Sequence, residues 1–150
     1  MAFSDGYKAV RNQHAADVAT ALGLASTAVH FGSPGMEITG NHAVLSCESL
    51  DSDLDHPVAS GNRPGVTVDI AGEAFLTYPA SNEIVEDKAL GFADSLCALV
   101  EAGATYGGVG MLPVFTRFEL GELTGIIEGE ANLQLHIRWG IRVFIQRARG

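Results

Sequence analysis

The strongest constraint on the fold is an alternation of apolar and polar residues near the end of the chain. Between Leu133 and Gln146, every second residue is apolar. Successive side chains of a strand point to opposite faces, so this pattern predicts a strand with one buried and one exposed face. The predicted buried face consists of Leu133, Leu135, Ile137, Trp139, Ile141, Val143 and Ile145. At ~3.3 Å per residue such a strand exceeds ~40 Å, so it must bend at Gly140 or project from the domain.

Further segments predict the strands that complete a sheet. Ala43 to Glu48 and Val66 to Leu76 alternate in the same way, and Leu112 to Leu120 favours another strand. Glu37 to Thr39 and the first of these would form a short hairpin or a bent strand, joined by the turn Gly40-Asn41. Strands that follow one another closely along the chain pair antiparallel, so a mostly antiparallel sheet is expected.

Two amphipathic helices are predicted, from Tyr7 to Leu24 and from Asn82 to Gly103. Ser4 or Asp5 can cap the first helix, and Asn82 can cap the second, whose first turn is acidic. Apolar residues recur at intervals of three and four in both segments. The predicted buried faces are Val10, His14, Val18, Ala21 and Leu22 in the first helix, and Val85, Ala89, Phe92, Leu96, Leu99 and Val100 in the second.

These elements predict an α+β fold in a single domain that spans residues 1–150. The sheet would be mostly antiparallel, with two helices packed on one face and a long C-terminal strand. Phe92 and Leu96 would cover the buried face of the sheet. If Phe92 lies in the core, truncating it to alanine should cost ~3 to 5 kcal/mol of stability.

Composition narrows the class of protein. Hydrophobic residues make up 47% of the chain and charged residues 18%, which is typical of globular proteins. No apolar run approaches the ~20 residues of a membrane span, and the first residues lack the pattern of a secretory signal. A protein made in the cytoplasm and not secreted is therefore expected. Cys47 and Cys97 share no metal-ligand spacing and are predicted to be small core residues.

The acidic loop from Ser49 to Gly65 is the best candidate for a metal site. Asp51, Asp53 and Asp55 stand at the first, third and fifth positions of a calcium-loop pattern. That pattern also needs glycine at the sixth position and glutamate at the twelfth, where this chain has His56 and Asn62. No zinc spacing, nucleophile elbow or dinucleotide fingerprint occurs either. The sequence therefore predicts no metal, no cofactor and no catalytic residues.

Charge is unevenly distributed along the chain, whose net charge is −9. Twelve acidic and two basic residues lie between Met36 and Glu101, whereas His136 to Gly150 contains four arginines and no acidic residue. Nucleic-acid binding requires a broad basic surface, so sequence-specific binding of nucleic acid is not expected. Opposite charges at two ends suit contacts between copies of the chain. The candidate interface residues are Asp51, Asp53, Asp55, Arg138 and Arg142. The alternative is that the arginines are solvated or paired within their own sheet.

The order of these elements resembles that of the tail terminator (tail completion) proteins of long-tailed bacteriophages. Two segments carry the resemblance: Gly65 to Ile70, which leads to the helix with an acidic start, and Ile127 to Asn132, which runs into the long strand. The resemblance covers most of the chain and lies in the order of helices and strands.

This resemblance implies a ring, usually of six subunits, that stops growth of the tail tube and joins the tail to the neck. The implied partners are other copies of the chain, the tail-tube protein and neck or head-completion proteins, and the implied location is the virion. Neither enzymatic activity nor membrane binding is implied. The alternatives are another phage neck, tail-tube or capsid-decoration protein, or a small-molecule binding module or enzyme with a pocket between the sheet and the helices.

Overall fold

The computed structural model describes residues 3–32, 40–52, 65–79, 85–103, 105–121, 124–127 and 130–146. Two helices, α1 (Phe3–Leu22) and α2 (Val85–Val100), accompany one sheet, and a 3-10 turn spans Ser26–Ala28. The strands are β1 (Val29–Phe31), β2 (His42–Ser52), β3 (Gly65–Pro79), β4 (Thr105–Tyr106), β5 (Gly110–Leu120), β6 (Thr124–Ile127) and β7 (Glu130–Gln146).

The strands lie in the order β1-β2-β3-β7-β5-β4, and β6 also pairs with β7. All pairs are antiparallel except β1 with β2, which is parallel. The predicted α+β class, with a mostly antiparallel sheet and both helices on one face, is confirmed. The sequence did not predict β1, because its three residues are too few to show an alternation. The predicted strand at Glu37 to Thr39 lies outside the described residues.

Strand β7 forms the centre of the sheet. It pairs with β3 without interruption from Gly65 opposite Gln146 to Pro79 opposite Asn132. The register of β7 with β3 is therefore regular at Gly140. Irregularities instead lie in β5, where the register shifts between Met111 and Val114 and between Phe115 and Arg117. An extra residue in a bulge is left unpaired and bends only the strand that carries it, so β7 stays continuous.

The alternation in β3 and β7 places one apolar set in the core, as predicted. The described core residues of the two strands are Val66, Val68, Ile70, Ala74, Leu76, Leu135, Ile137, Trp139, Ile141, Val143 and Ile145, each at most 5% exposed. Gly72 lies directly opposite Trp139 on the same face. A Cβ atom on Gly72 would lie 2.2 Å from the indole ring, so the glycine is what leaves room for it.

Helix α1 begins and ends earlier than predicted. It starts at Phe3, so Ser4 and Asp5 lie within its first turn and are not caps. Asp5 still favours the helix there, because a carboxylate complements the positive end of the helix dipole. The helix ends at Leu22, because Gly23 adopts φ +66° and the Leu24 N–H donates to the Ala19 carbonyl at 2.9 Å. This is a glycine-terminated Schellman ending, which closes the helix before Leu24.

Helix α2 buries a narrower stripe than predicted. Ala89, Leu96 and Val100 are buried, whereas Phe92 and Leu99 are only half-buried. Helix α1 buries Val10, His14, Val18 and Leu22, and Ala21 is half-buried.

Because Phe92 packs against the core from its margin, we expect Phe92→Ala to cost about 1 to 2 kcal/mol and not the larger loss of a core phenylalanine. Urea denaturation followed by circular dichroism measures this loss of stability. Leu90→Ala on the same helix is the control, since Leu90 is 46% exposed and its truncation should change stability by less than ~0.5 kcal/mol. A loss above ~3 kcal/mol for Phe92→Ala would restore the assignment to the core.

The prediction that both cysteines are core residues is wrong for Cys47. Cys47 is exposed, and Cys97 is half-buried. Cys47 keeps the alternation of β2 and lies opposite the buried Ile70, but in the described part of the chain β1 ends beside Leu45 and does not reach Cys47. The Cys97 thiol donates a hydrogen bond to Glu101 at 3.1 Å, and this bond raises the pKa of the thiol.

Candidate functional site

The candidate site is the face of the sheet that carries no helix, here called the outer face. Alternation along each strand and the pairing register place its side chains in rows that run across β2, β3, β7 and β5. Its described residues include His42, Val44, Ser46, Glu48, Ser49, Asp69, Ala71, Glu73, Phe75, Val114, Arg117, Glu119, His136, Arg138, Gly140 and Arg142.

The first row is a hydrogen-bonded chain from β2 to β7. Arg142 donates from Nε and Nη2 to the two oxygens of Asp69, at 2.8 and 3.2 Å. The Ser49 hydroxyl donates to the same carboxylate at 2.9 Å. The bond from Arg142 is the main reason that the pKa of Asp69 is lowered. A bidentate contact of this kind fixes the orientation of both side chains more firmly than a single hydrogen bond would.

The second row is made of small residues, and one long side chain lies along it. Ser46, Ala71 and Gly140 are in register with Arg117. A Cβ atom on Gly140 would lie 3.4 Å from the Arg117 side chain, so the arginine crosses directly above this glycine. Its Nη1 atom reaches Oε1 of Glu48 at 3.1 Å, three strands away. A depression of 190 Å³ lies beside this side chain.

The third and fourth rows also pair their polar groups. Arg138 faces Glu119 at 3.8 Å, and His136 is bonded through Nε2 to Glu73. In the fourth row Phe75 stacks between two imidazoles, with ring centroids 5.1 Å from His42 and 4.5 Å from His136.

The chemistry of the outer face is that of a preorganised polar surface. All the arginines and carboxylates named in these rows have a partner on the same face. No group of histidine, cysteine or acidic residues in the described part of the chain could hold a metal ion. The depression is smaller than the ~300 Å³ at which small-molecule pockets begin.

A second polar cluster lies in the core between α1, β4 and β7. Trp139 donates from Nε1 to His14 Nε2 at 3.1 Å, so the proton of the neutral imidazole is on Nδ1. Nδ1 lies 3.1 Å from the Tyr106 oxygen, and the Tyr106 hydroxyl donates to Asp17. Gln13 donates to the same carboxylate at 3.0 Å.

Burial makes this cluster structural. His14 is fully buried, and Trp139, Tyr106 and Asp17 are at most 7% exposed. Burial lowers the pKa of His14 to about 3 and is the main cause that raises the pKa of Tyr106, with the bond to Asp17 second. The sequence placed His14 on the buried face of the first helix. It did not indicate the partners, which are 92 and 125 residues away.

The residues predicted for a subunit interface are only partly brought together. Arg138 and Arg142 both lie on the outer face, and both pair within their own sheet, which was the open alternative. The backbone of Asp51 is in β2 opposite Thr67, and Asp53 and Asp55 lie outside the described residues. Their role between subunits remains a prediction. The Arg117–Glu48 contact was missed, because neither residue stands out in its local pattern.

Comparisons with known proteins give little similarity. No protein-family model matches the chain, and no curated protein matches it. Among solved structures, a chain of a "Virion of native gene transfer agent (GTA) particle" is similar over 95% of this chain and 92% of its own length. The sequence identity is 13% and the TM-score is 0.39, a likeness too weak to assign a family or a function. In the described part of the chain, neither helix has the length and apolar content to cross a membrane.

Proposed function

We propose that this chain is a structural subunit of a phage-like particle, which assembles into a ring as a tail terminator or tail completion protein. In this role it caps the tail tube and joins it to the neck. The fold has the order of elements on which the resemblance rests. Its long C-terminal strand is central in the sheet, and both helices lie on one face.

The observation that carries the proposal is the bare outer face. No helix of the described residues covers this face. Its charges are already held in place by neighbours, so they lose little side-chain freedom when another molecule docks on the face. Exposed apolar residues adjoin this face at one edge of the sheet, where Leu112 is 75% and Val114 42% exposed. Apolar residues of this kind at a polar surface suit a protein contact.

The charges of the outer face favour protein partners over nucleic acid. Three arginines alternate with four carboxylates, those of Glu48, Asp69, Glu73 and Glu119. A surface balanced in this way lacks the positive field that attracts a phosphate backbone. The proposed partners are other copies of the chain, the tail-tube protein and neck proteins, and the proposed location is the virion.

The test has two parts. Purified protein is sized by light scattering and imaged by negative-stain electron microscopy, and rings of one subunit number are expected. Particles from cells that encode the chain are then labelled with gold-coupled antibody, and label is expected where tail meets head. Label along the whole tail would indicate a tail-tube protein, and label over the capsid a decoration protein. Monomers in solution together with unlabelled particles would contradict the proposal.

The candidate interface arginines can be tested by neutral substitution. Reversal to glutamate is unsuitable, because Arg142→Glu would place a second carboxylate beside Asp69. We expect Arg138→Gln with Arg142→Gln to raise the concentration for half-maximal ring assembly about tenfold, the equivalent of ~1.4 kcal/mol. Sedimentation velocity over a concentration series measures the change. Lys8→Gln, an exposed site on α1, is the matched control. Unchanged assembly of the double variant would remove both arginines from the interface.

A further inference from the structure

We infer that copies of this chain join edge to edge, with β5 of one copy beside β2 of the next, to form one continuous antiparallel sheet around the ring. In this arrangement Arg117 pairs with Glu48 of the neighbouring copy and not with its own. The inference rests on the proposed ring and specifies which surfaces build it.

The polarity of the strands permits this joint. β2, β3, β7 and β5 are neighbours in that order, and each adjacent pair is antiparallel. Three reversals separate β2 from β5, so the two strands run in opposite directions. When a second copy follows the first around an axis, its β2 meets the first copy's β5 in antiparallel orientation. The contact is head to tail, and a repeated contact of this kind closes into a ring when the rotation allows it.

Both strands have an open edge. In the described part of the chain, β1 pairs with β2 only from Ala43 to Leu45, which leaves the edge from Ser46 to Ser52 without a strand. Likewise β4 pairs with β5 only at Gly110 and Met111. Unpaired backbone N–H and C=O groups along an edge are a template for another strand.

One ion pair sets the register of the two edges. If Arg117 stands opposite the neighbour's Glu48, an antiparallel pairing continues to Glu119 opposite Ser46, the first residue of β2 that β1 leaves uncovered. Strand β5 ends at Leu120, and β1 ends beside Leu45. Leu120 would fall opposite Leu45, whose carbonyl already accepts from the Gly32 N–H, so the pairing between copies ends at Glu119.

The joined sheet shortens the distance that the Arg117–Glu48 ion pair must span. Within one chain the two residues lie on strands three intervals apart, about 14 Å at ~4.8 Å per interval. Arg117 reaches Glu48 only because it lies extended over Gly140 and Ala71. In the joined sheet the neighbour's Glu48 is on the adjacent strand, where opposite charges face each other directly.

The rest of the β5 edge restricts where pairing occurs. Glu101 accepts a hydrogen bond from the Phe115 N–H at 3.1 Å, and Pro113 has no N–H to donate. Between Pro113 and Met111, Leu112 is held at φ +52° with its side chain 75% exposed. A leucine in the left-handed region is strained. Regular pairing is thereby confined to Arg117 through Glu119, and Leu112 lies exposed on the same edge.

The inference is tested by charge reversal and mixing. Arg117→Glu and Glu48→Arg, each purified alone, should form no rings, because like charges then face each other at every joint. An equimolar mixture should restore at least half of the parent's ring yield, in rings with an even subunit number. Melting temperatures within a few degrees of the parent establish that both variants fold. Asp94→Arg, an exposed acid on α2, is the control and should assemble like the parent.

Cross-linking between outer-face cysteines gives a second measurement that keeps Arg117 and Glu48. Glu119→Cys and Ser46→Cys, which face each other in the proposed register, are introduced with Cys47→Ser and Cys97→Ser, and a short bismaleimide is added. A head-to-tail joint should give a ladder of covalent oligomers beyond the dimer, whereas Asp94→Cys in place of Glu119→Cys should not.

The outcomes separate this inference from the proposed function. If the parent forms rings and the single reversals do so equally well, the edge pairing is wrong while the ring remains. Failure of the mixture to assemble, or cross-linking that stops at dimers, also overturns the edge pairing. A parent that remains monomeric at every concentration and in particles overturns both.

Discussion

Gly72→Ala is expected to destabilise the protein by about 3 kcal/mol, at the upper end of what an overpacked core costs. The new Cβ would lie 2.2 Å from two carbons of the Trp139 ring and 2.6 Å from its nitrogen. The ring is 1% exposed and donates to His14, so it cannot rotate away without losing that bond. Chemical denaturation followed by tryptophan fluorescence measures the loss, since Trp139 is the only tryptophan.

Gly91→Ala is the matched control, with an expected change of opposite sign. Gly91 lies in α2, and no neighbouring atom comes within 4 Å of the position that an alanine methyl group would take. Replacing a glycine inside a helix by alanine stabilises by ~0.5 to 1 kcal/mol, because the unfolded chain loses freedom. If both variants gain stability, the close approach of Gly72 to Trp139 does not exist in solution.

The sequence predicted the parts of the fold that depend on long periodic segments. The alternation in Val66 to Leu76 and in Leu133 to Gln146 identified both central strands and the faces they bury. It failed where one local irregularity decides the outcome. Within the described residues, strand β1 stops beside Leu45 and does not reach Cys47, which is exposed, and Gly23 ended the first helix ahead of Leu24. Such irregularities occupy one or two residues and leave no period in the sequence.

The outer face was predictable only in part. Alternation placed Arg138 and Arg142 on the polar face of their strand, but their partners depend on the strand order β5-β7-β3-β2. Glu119 and Asp69 come from strands on either side of β7, and Arg117 meets a residue three strands away. Strand order is set by packing of the whole sheet, and no short segment encodes it.

Acidification from pH 7 to pH 4.5 is expected to remove about 2.5 kcal/mol of stability through His14 alone. Burial lowers the pKa of this imidazole from 6.5 to about 3, so the folded protein keeps it neutral while the unfolded chain binds a proton below pH 6.5. The unfolded state therefore binds more protons between about pH 6.5 and pH 3, and stability falls as the pH falls through this window. Above pH 6.5 the contribution is constant.

Burial is the cause of the low pKa, and the geometry around His14 also offers no acceptor for a second proton. Its Nε2 atom already accepts from Trp139, and protonation would set two donors against each other inside the core. His14→Gln should be less stable than the parent at pH 7, yet its stability should fall less steeply between pH 6.5 and pH 4.5. The other four histidines and all carboxylates are common to both proteins, so the difference between their urea-denaturation curves at each pH isolates the contribution of His14. Parallel pH profiles for the two proteins would mean that His14 is protonated, or reached by water, in the folded state.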